Sequence, residues 1–460
     1  MIRIEELIMM VDDLKYYISD FDYELPQELI AQTPIEPRDA SRLLVVQRDS
    51  RIFEHRHFRD VGDYLRPGDL LIANQSRVLP ARLLGHRAET GGAVEVLLLA
   101  ERPDLGRDYW ETLVRPGRRL REGAHIVFGI EAIDDAEKTQ GAYLQAEVLE
   151  RTDAGGRIVR FTVEIGHVES RPYELQDMAD QGTGTRAGAS PTPTLHESGK
   201  QLPSYSRGIP LRVPSEMGGD TSQLHNDPLR SPSGTRAGIN PAPTNEAQAD
   251  VPDVTVRDLI EQLGRMPLPP YIHETLQDPE RYQTVYARIT GSAAAPTAGL
   301  HFTPHLLEQL RGQGVRVGFV TLHVGLDTFR PIECEDVRDH KMHSEEIDVD
   351  AATAELINEM RRAGGRVVAV GTTAVRVLES VASFYEGRIE AYHGATRLFI
   401  MPGYRFQVVD AMITNFHLPR SSLMLLVSAF ASKALIEKAY QEAIRERYRF
   451  FSFGDAMLML

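Results

Sequence analysis

Val367-Val368-Ala369-Val370-Gly371-Thr372-Thr373 reads as an apolar strand, a tight turn and the start of a helix that carries Arg376 and Glu379. The same alternation extends on both sides of it. Helical spacing over residues 256–265, 304–313, 351–363 and 435–447 is interleaved with apolar strands at 315–322, 367–370 and 397–400. That alternation predicts an α/β domain. Further upstream the pattern changes. Short strands at 70–73, 93–100, 110–115, 125–130, 143–150 and 158–165 follow one another with no helix between them. Turn signals such as Pro67-Gly68, Gly91-Gly92, Pro116-Gly117 and Gly155-Gly156 separate them, which predicts an all-β, barrel-like or sandwich domain. The segment 21–47 precedes these strands and is expected to pair with the later half. The predicted fold is therefore an α/β main domain, residues 20–62 and 166–460, with a β-barrel domain, residues 63–165, inserted in it.

Two stretches stand apart. Between residues 181 and 250, thirty-three of seventy residues are Gly, Pro, Ser or Thr and eight are Leu, Ile or Val. Such a stretch buries too little apolar surface to offset the entropy of ordering it, so 176–252 is expected to be a long disordered insert. Gly184-Thr185-Arg186-Ala187-Gly188 recurs as Gly234-Thr235-Arg236-Ala237-Gly238, but two copies without an apolar face do not make a solenoid. Residues 1–19 form an N-terminal extension. Ile4, Leu7, Ile8, Val11, Leu14 and Ile18 have helical spacing, while Glu5, Glu6, Asp12 and Asp13 argue against a membrane-lying helix.

Composition narrows the function classes. With 460 residues, 42% hydrophobic and 25% charged, the chain suits two or three globular domains. A net charge of −15 argues against coating nucleic acid through bulk charge. The single cysteine, Cys334, excludes an intramolecular disulfide and a multi-cysteine metal site. No apolar run reaches the ~18 residues of a membrane span, and the acidic start lacks a basic signal region. A cytoplasmic location is expected.

Candidate chemistry gathers in a few places. The run from Gly291 to Phe302 is rich in small residues, including Thr297 and Gly299, and ends near His301. Small residues let a ligand approach the backbone, although a tight packing junction has the same composition. His323 closes a strand, where α/β sheets gather ligands. The helix after Gly371 offers unpaired N–H groups to an anion, with Thr372 and Thr373 beside them. His340-Lys341-Met342-His343-Ser344-Glu345 matches none of the zinc-helix motifs, so no metal is expected. Aromatics around Tyr448-Arg449-Phe450-Phe451 suit base stacking or core packing. For nucleic acid the better candidate is residues 64–121, with ten Arg against seven acids. There Arg77, Arg82, Arg115, Arg118, Arg119 and Arg121 are candidate phosphate contacts.

Several of these phrases resemble one family in order. Early in the chain they are Asp20-Phe21-Asp22-Tyr23-Glu24-Leu25-Pro26, Pro37-Arg38-Asp39 and Arg77-Val78-Leu79-Pro80-Ala81-Arg82-Leu83. Later come Tyr282-Gln283-Thr284-Val285-Tyr286, Pro296-Thr297-Ala298-Gly299-Leu300-His301-Phe302, Thr321-Leu322-His323-Val324-Gly325 and Thr414-Asn415-Phe416-His417-Leu418-Pro419. The chain resembles the S-adenosylmethionine:tRNA ribosyltransferase-isomerase family of queuosine biosynthesis over about residues 20–173 and 256–460.

The resemblance implies transfer of the ribosyl part of S-adenosylmethionine to 7-aminomethyl-7-deazaguanine at the tRNA wobble position. Epoxyqueuosine-tRNA forms, and adenine and methionine leave. It also implies an α/β domain with an inserted β-barrel, S-adenosylmethionine as cosubstrate and no prosthetic group; a monomer is expected. The chemistry calls for a base at the acidic C5′ proton and a proton donor for adenine. His301 and His323 are the expected acid–base pair, with His343, Glu345 and His417 as competitors. Thr297, Gly299, Gly371, Thr372, Thr373 and Arg376 are expected to hold the cosubstrate. Some positions depart from the family pattern. Gln75-Ser76 stands for Asp-Thr, Asp327 for Gly, and Ala374 for Ser. A methyltransferase, or a non-catalytic tRNA-binding relative, is the alternative. The methyltransferase reading lacks a Gly-rich loop after a first strand.

Overall fold

Burial patterns along the strands separate the chain into two β architectures. Strands buried at every position belong to a sheet covered on both faces, whereas strands that alternate line a closed barrel or lie toward a sheet margin. The computed structural model describes residues 16–117, 120–129, 141–152, 155–166, 254–325 and 332–460. The expectations for residues 1–15, for the insert 176–252, and for Arg118, Arg119 and Asp327 lie outside the described residues.

In chain order the strands are β1 (Arg42–Val46), β2 (Phe53–His57), β3 (Leu70–Asn74), β4 (Ser76–Val78), β5 (Arg82–Arg87), β6 (Ala93–Glu101), β7 (Tyr109–Arg115) and β8 (His125–Phe128). They continue as β9 (Gly141–Arg151), β10 (Arg157–Gly166), β11 (Ile289–Ser292), β12 (Arg316–Leu322), β13 (Glu345–Val349), β14 (Val367–Val370), β15 (Tyr392–Thr396), β16 (Ala411–Asn415) and β17 (Ala456–Met459). A nine-stranded sheet has the order β15-β13-β12-β3-β14-β16-β17-β1-β2. Its middle strands β12, β3, β14 and β16 are mutually parallel. β1 runs parallel to β17, so the N-terminal segment closes on the C-terminal end.

Alternate side chains of this sheet enter two cores. Leu44, Leu70, Ile72, Val320, Ala369 and Met412 pack with helices Ala351–Arg362, Thr372–Phe384, Ser422–Ala431 and Lys433–Arg445 on one face. Leu43, Leu71, Ala73, Val368, Val370 and Ile413 pack with Phe58 and helix Pro304–Gly312 on the other. The barrel closes in the order β10-β7-β6-β5-β8-β9. Its inward residues Leu83, Val96, Trp110, Phe128, Leu144 and Phe161 form a separate core.

Three expectations about elements need correction. The strand at 70–73, read as part of the β-rich run, is the sheet strand β3. It is buried at all five positions, between β12 and β14, where a barrel strand would expose alternate residues. Helix Val256–Leu263, read with the α/β half, packs Val256, Leu259 and Ile260 into the barrel core. The stretch 397–400 is not a strand. Pairing stops at Thr396, whose Oγ1 accepts from the Leu398 N–H at 3.1 Å and turns the chain out of the sheet.

Candidate functional site

The parallel strands β12, β3, β14 and β16 end on one edge of the sheet, where open α/β sheets collect ligands. A cavity lies at this edge. The turn after β14 supplies Gly371, Thr372 and Thr373. The end of β16 and its continuation supply Thr414, Asn415 and His417. Pro296 and Thr297 come from the small-residue run, and Tyr271, Leu423, Phe451 and Ser452 are also part of the lining.

Local geometry explains why these residue types stand here. Gly371 has φ +89, a conformation that L side chains rarely adopt. It turns the chain from β14 into helix Thr372–Phe384, which begins with no side-chain cap. Its leading N–H groups and positive dipole end therefore lack a side-chain partner beside the cavity. The Gly371 N–H donates to the Ile413 carbonyl at 2.7 Å, which ties this turn to the neighbouring strand. Gly299 lies buried against Tyr286. A Cβ there would stand 2.1 Å from the Tyr286 hydroxyl, so close packing explains this glycine.

The five acid–base candidates do not converge. His301 is buried, stacked on Phe58 at 4.9 Å between ring centroids. Ser41 Oγ lies 2.7 Å from its Nδ1 and Asn415 Nδ2 lies 3.2 Å from its Nε2. Burial first, then the charges of Arg449 and Arg38, pushes its pKa down to about 3. His301 is thus a neutral ring whose two nitrogens are both engaged. His323 follows β12 with its ring against Gly291, and its Nδ1 is buried without a hydrogen-bond partner. Burial lowers its pKa, against the pull of Glu346.

Glu345 sits in a separate polar group. It accepts from the Gly325 N–H at 3.1 Å, pairs with Arg376, and lies 3.4 Å from His343 Nε2. Burial alone would raise the Glu345 pKa. The nearby His343 and the charge of Arg376 outweigh it and hold the carboxyl at about 2. Arg376 lines a second, smaller cavity, and Leu423 lines both. Of the five candidates, His417 is the one in the lining of the larger cavity, among the described residues. Its Nε2 is 2.9 Å from Thr414 Oγ1, and burial lowers its pKa to about 3.

Of the expected cosubstrate residues, Thr297, Gly371, Thr372 and Thr373 line the cavity. Tyr271, Asn415, Phe451 and Ser452 were not selected from sequence. Asn415 stands in the segment 414–419, two residues before His417, but nothing in its spacing marks a side chain that lines a cavity. Phe451 carries a signal visible only in the backbone, φ +70 in a bulky residue. Among the described residues, no group of three or more His, Cys, Asp or Glu side chains is placed to hold a metal ion.

The arginines divide as well. Arg77 is paired with Glu280, and Arg82 Nε lies 2.7 Å from Glu95. Arg115 ends β7 exposed. Arg121 and Arg151 line an open cleft on the barrel together with Arg157, whose guanidinium is spent on the carbonyls of Gly117, Leu120, Gly155 and Gly156. No helix among the described residues is long and apolar enough to cross a membrane.

Comparison with known proteins agrees with these motifs. The sequence profile of a family described as "Queuosine biosynthesis protein" matches residues 18–202 and 235–459. A relative from Symbiobacterium thermophilum, S-adenosylmethionine:tRNA ribosyltransferase-isomerase, is 47% identical over 443 residues, covering 96% of this chain and 99% of its own length. The protein of the same name from Moorella thermoacetica is 46% identical over the same extent. The crystal structure of S-adenosylmethionine tRNA ribosyltransferase from Thermotoga maritima is 34% identical, covering 96% of this chain and 100% of that one, with a TM-score of 0.43. The chain belongs to the S-adenosylmethionine:tRNA ribosyltransferase-isomerase family of queuosine biosynthesis.

Proposed function

We propose that this chain transfers the ribosyl part of S-adenosylmethionine to the aminomethyl group of 7-aminomethyl-7-deazaguanine in the tRNA anticodon. The ring isomerises to give epoxyqueuosine, and adenine and methionine are released. The observation that carries this reading is the convergence of Thr297 and His417, from two family motifs, and of Thr372 and Thr373, from the helix start after β14, on one cavity at the carboxyl ends of the parallel strands.

The sulfonium acidifies the C5′ protons, so a base must remove one before the ring rearranges. His417 is the proposed proton-transfer group in the cavity. Its burial keeps the imidazole neutral before substrate enters. His323, with its unpartnered Nδ1, is the second candidate. Glu345 and His343 act from their separate group, where Glu345 holds Arg376 in place. The free helix start at Thr372 and Thr373 suits the methionine carboxylate. Arg115, Arg118, Arg119 and Arg121 are the proposed phosphate contacts on the barrel. Arg77 and Arg82 contribute only by exchanging Glu280 and Glu95 for phosphate. The proposed enzyme acts in the cytoplasm as a monomer, with no prosthetic group.

The test is incubation with S-adenosylmethionine and tRNA with or without 7-aminomethyl-7-deazaguanine. Adenine and methionine released only with the modified tRNA is the expected result. S-adenosylhomocysteine as product would point to methyl transfer, and tRNA binding without turnover to a non-catalytic relative.

A further inference from the structure

One acceptor in the cavity has no donor. Asn415 is 3% exposed, and its amide nitrogen is used twice, toward His301 Nε2 at 3.2 Å and toward the Phe451 carbonyl at 3.1 Å. Its Oδ1 is buried with no partner, and Asn415 lines the cavity. The amide orientation follows from the neighbours. The Phe451 carbonyl can only accept, so the nitrogen must face it. His301 then accepts at Nε2 and carries its proton on Nδ1, which donates to Ser41 Oγ. Ser41 in turn donates to the Arg38 carbonyl at 3.2 Å. This buried chain fixes the amide from behind and leaves Oδ1 for something that enters the cavity. An acceptor buried without a partner is costly, so a donor there would be strongly held.

The neighbouring strand offers the opposite. Helix Thr372–Phe384 begins uncapped at the same cavity, and Thr373 Oγ1 is also buried without a partner. Gly371 is bonded to Ile413, two residues before Asn415, so the helix start and the amide stand at the ends of adjacent parallel strands. Such strands are about 4.8 Å apart. An anion-holding helix start beside an unfilled carbonyl acceptor complements a carboxylate and an ammonium carried on one carbon.

We propose that Asn415 Oδ1 accepts from the α-ammonium of the methionyl part of S-adenosylmethionine, while its α-carboxylate rests on the N–H groups that open helix Thr372–Phe384. His301 is a positioning residue that holds the Asn415 amide in that orientation. This rests on the reaction proposed above. The test compares S-adenosylmethionine with its analogue lacking the α-amino group, by adenine release from modified tRNA. L-Methionine and 4-(methylthio)butanoate are compared in parallel by calorimetry.

Wild-type protein is expected to favour the amino compounds by roughly ten- to a hundred-fold in KM or Kd. Asn415→Leu removes that preference. His301→Leu diminishes it, and His301→Gln, whose carboxamide oxygen can accept from Asn415, restores part of it. Equal handling of the amino and deamino compounds by the wild type overturns the proposal without any variant having to fold. So does an Asn415→Leu variant that weakens both members of each pair alike, which would assign Oδ1 to another donor such as a ribose hydroxyl. Absence of adenine release by the wild type would instead sink the reaction, while calorimetry would still decide the amino-acid site.

Discussion

Glu379→Gln is expected to be among the most destabilising isosteric substitutions in the sheet domain. Glu379 is fully buried in the middle of the helix that begins at the cavity. Its Oε1 accepts from the N–H groups of Val408 and Val409, each at 3.0 Å. Its Oε2 accepts from the Gln407 N–H at 2.8 Å and the Tyr404 hydroxyl at 3.1 Å. A glutamine keeps the volume but replaces one oxygen by an NH2 group. With the NH2 toward Val408 and Val409 two N–H donors face a donor; turned toward Gln407 and Tyr404 one does, because the Tyr404 hydroxyl can rotate to accept. At roughly 1.5–3 kcal/mol for each hydrogen bond to a charged acceptor, the better orientation still loses about 1.5–3 kcal/mol. The assay is equilibrium urea unfolding followed by far-ultraviolet circular dichroism, read as a lowered midpoint at unchanged slope. Glu390→Gln is the control, because its ion pair with Arg388 is exposed and should change little. A Glu379→Gln loss below about 1 kcal/mol would refute the claim that this carboxylate pins the 407–409 loop to the helix.

Other outcomes follow from the same contacts. Glu345 is held at about 2 from its ordinary 4.5. Because the folded value is the lower one, its contribution, about 3 kcal/mol, is complete above pH 4.5 and is lost as the pH falls toward 2. The stability gap between wild type and Glu345→Gln, measured by urea unfolding, should shrink over that window. Gly299→Ala would set a Cβ 2.1 Å from the buried Tyr286 hydroxyl, and it should cost roughly 1–3 kcal/mol in the same assay. Arg121→Gln and Arg151→Gln should each flatten the salt dependence of tRNA affinity by up to about one unit of slope if that cleft meets phosphate. An unchanged slope would remove the cleft from the tRNA surface. Deleting residues 181–250 should leave adenine release intact, and loss of folding would show that the segment is not passive.

Much of the fold was legible locally. An apolar run such as Val367–Val370, followed by Gly371 and two threonines, has few conformations open to it, and the structure makes it strand, turn and helix. Alternation over Ala93–Glu101 marks a surface half buried, and that strand does line a barrel. Strand membership was harder. Leu70–Asn74 has a near neighbour in sequence in the barrel, yet it lies between β12 and β14 because only a two-sided core buries all five of its residues.

The site divides in the same way. Residue type and order in the chain by themselves determined the family, the small-residue run and the helix start that lines the cavity. Which histidine lines the cavity was decided only by tertiary structure. His301 and His417 both stand in family motifs, but Ser41 and Asn415 close around His301 from distant parts of the chain, while His417 is left in the cavity lining. Neither spacing nor composition records which side of a residue another segment will cover. That is set when β1, β16 and the run ending at His301 come together, and it leaves both nitrogens of His301 engaged by Ser41 and Asn415.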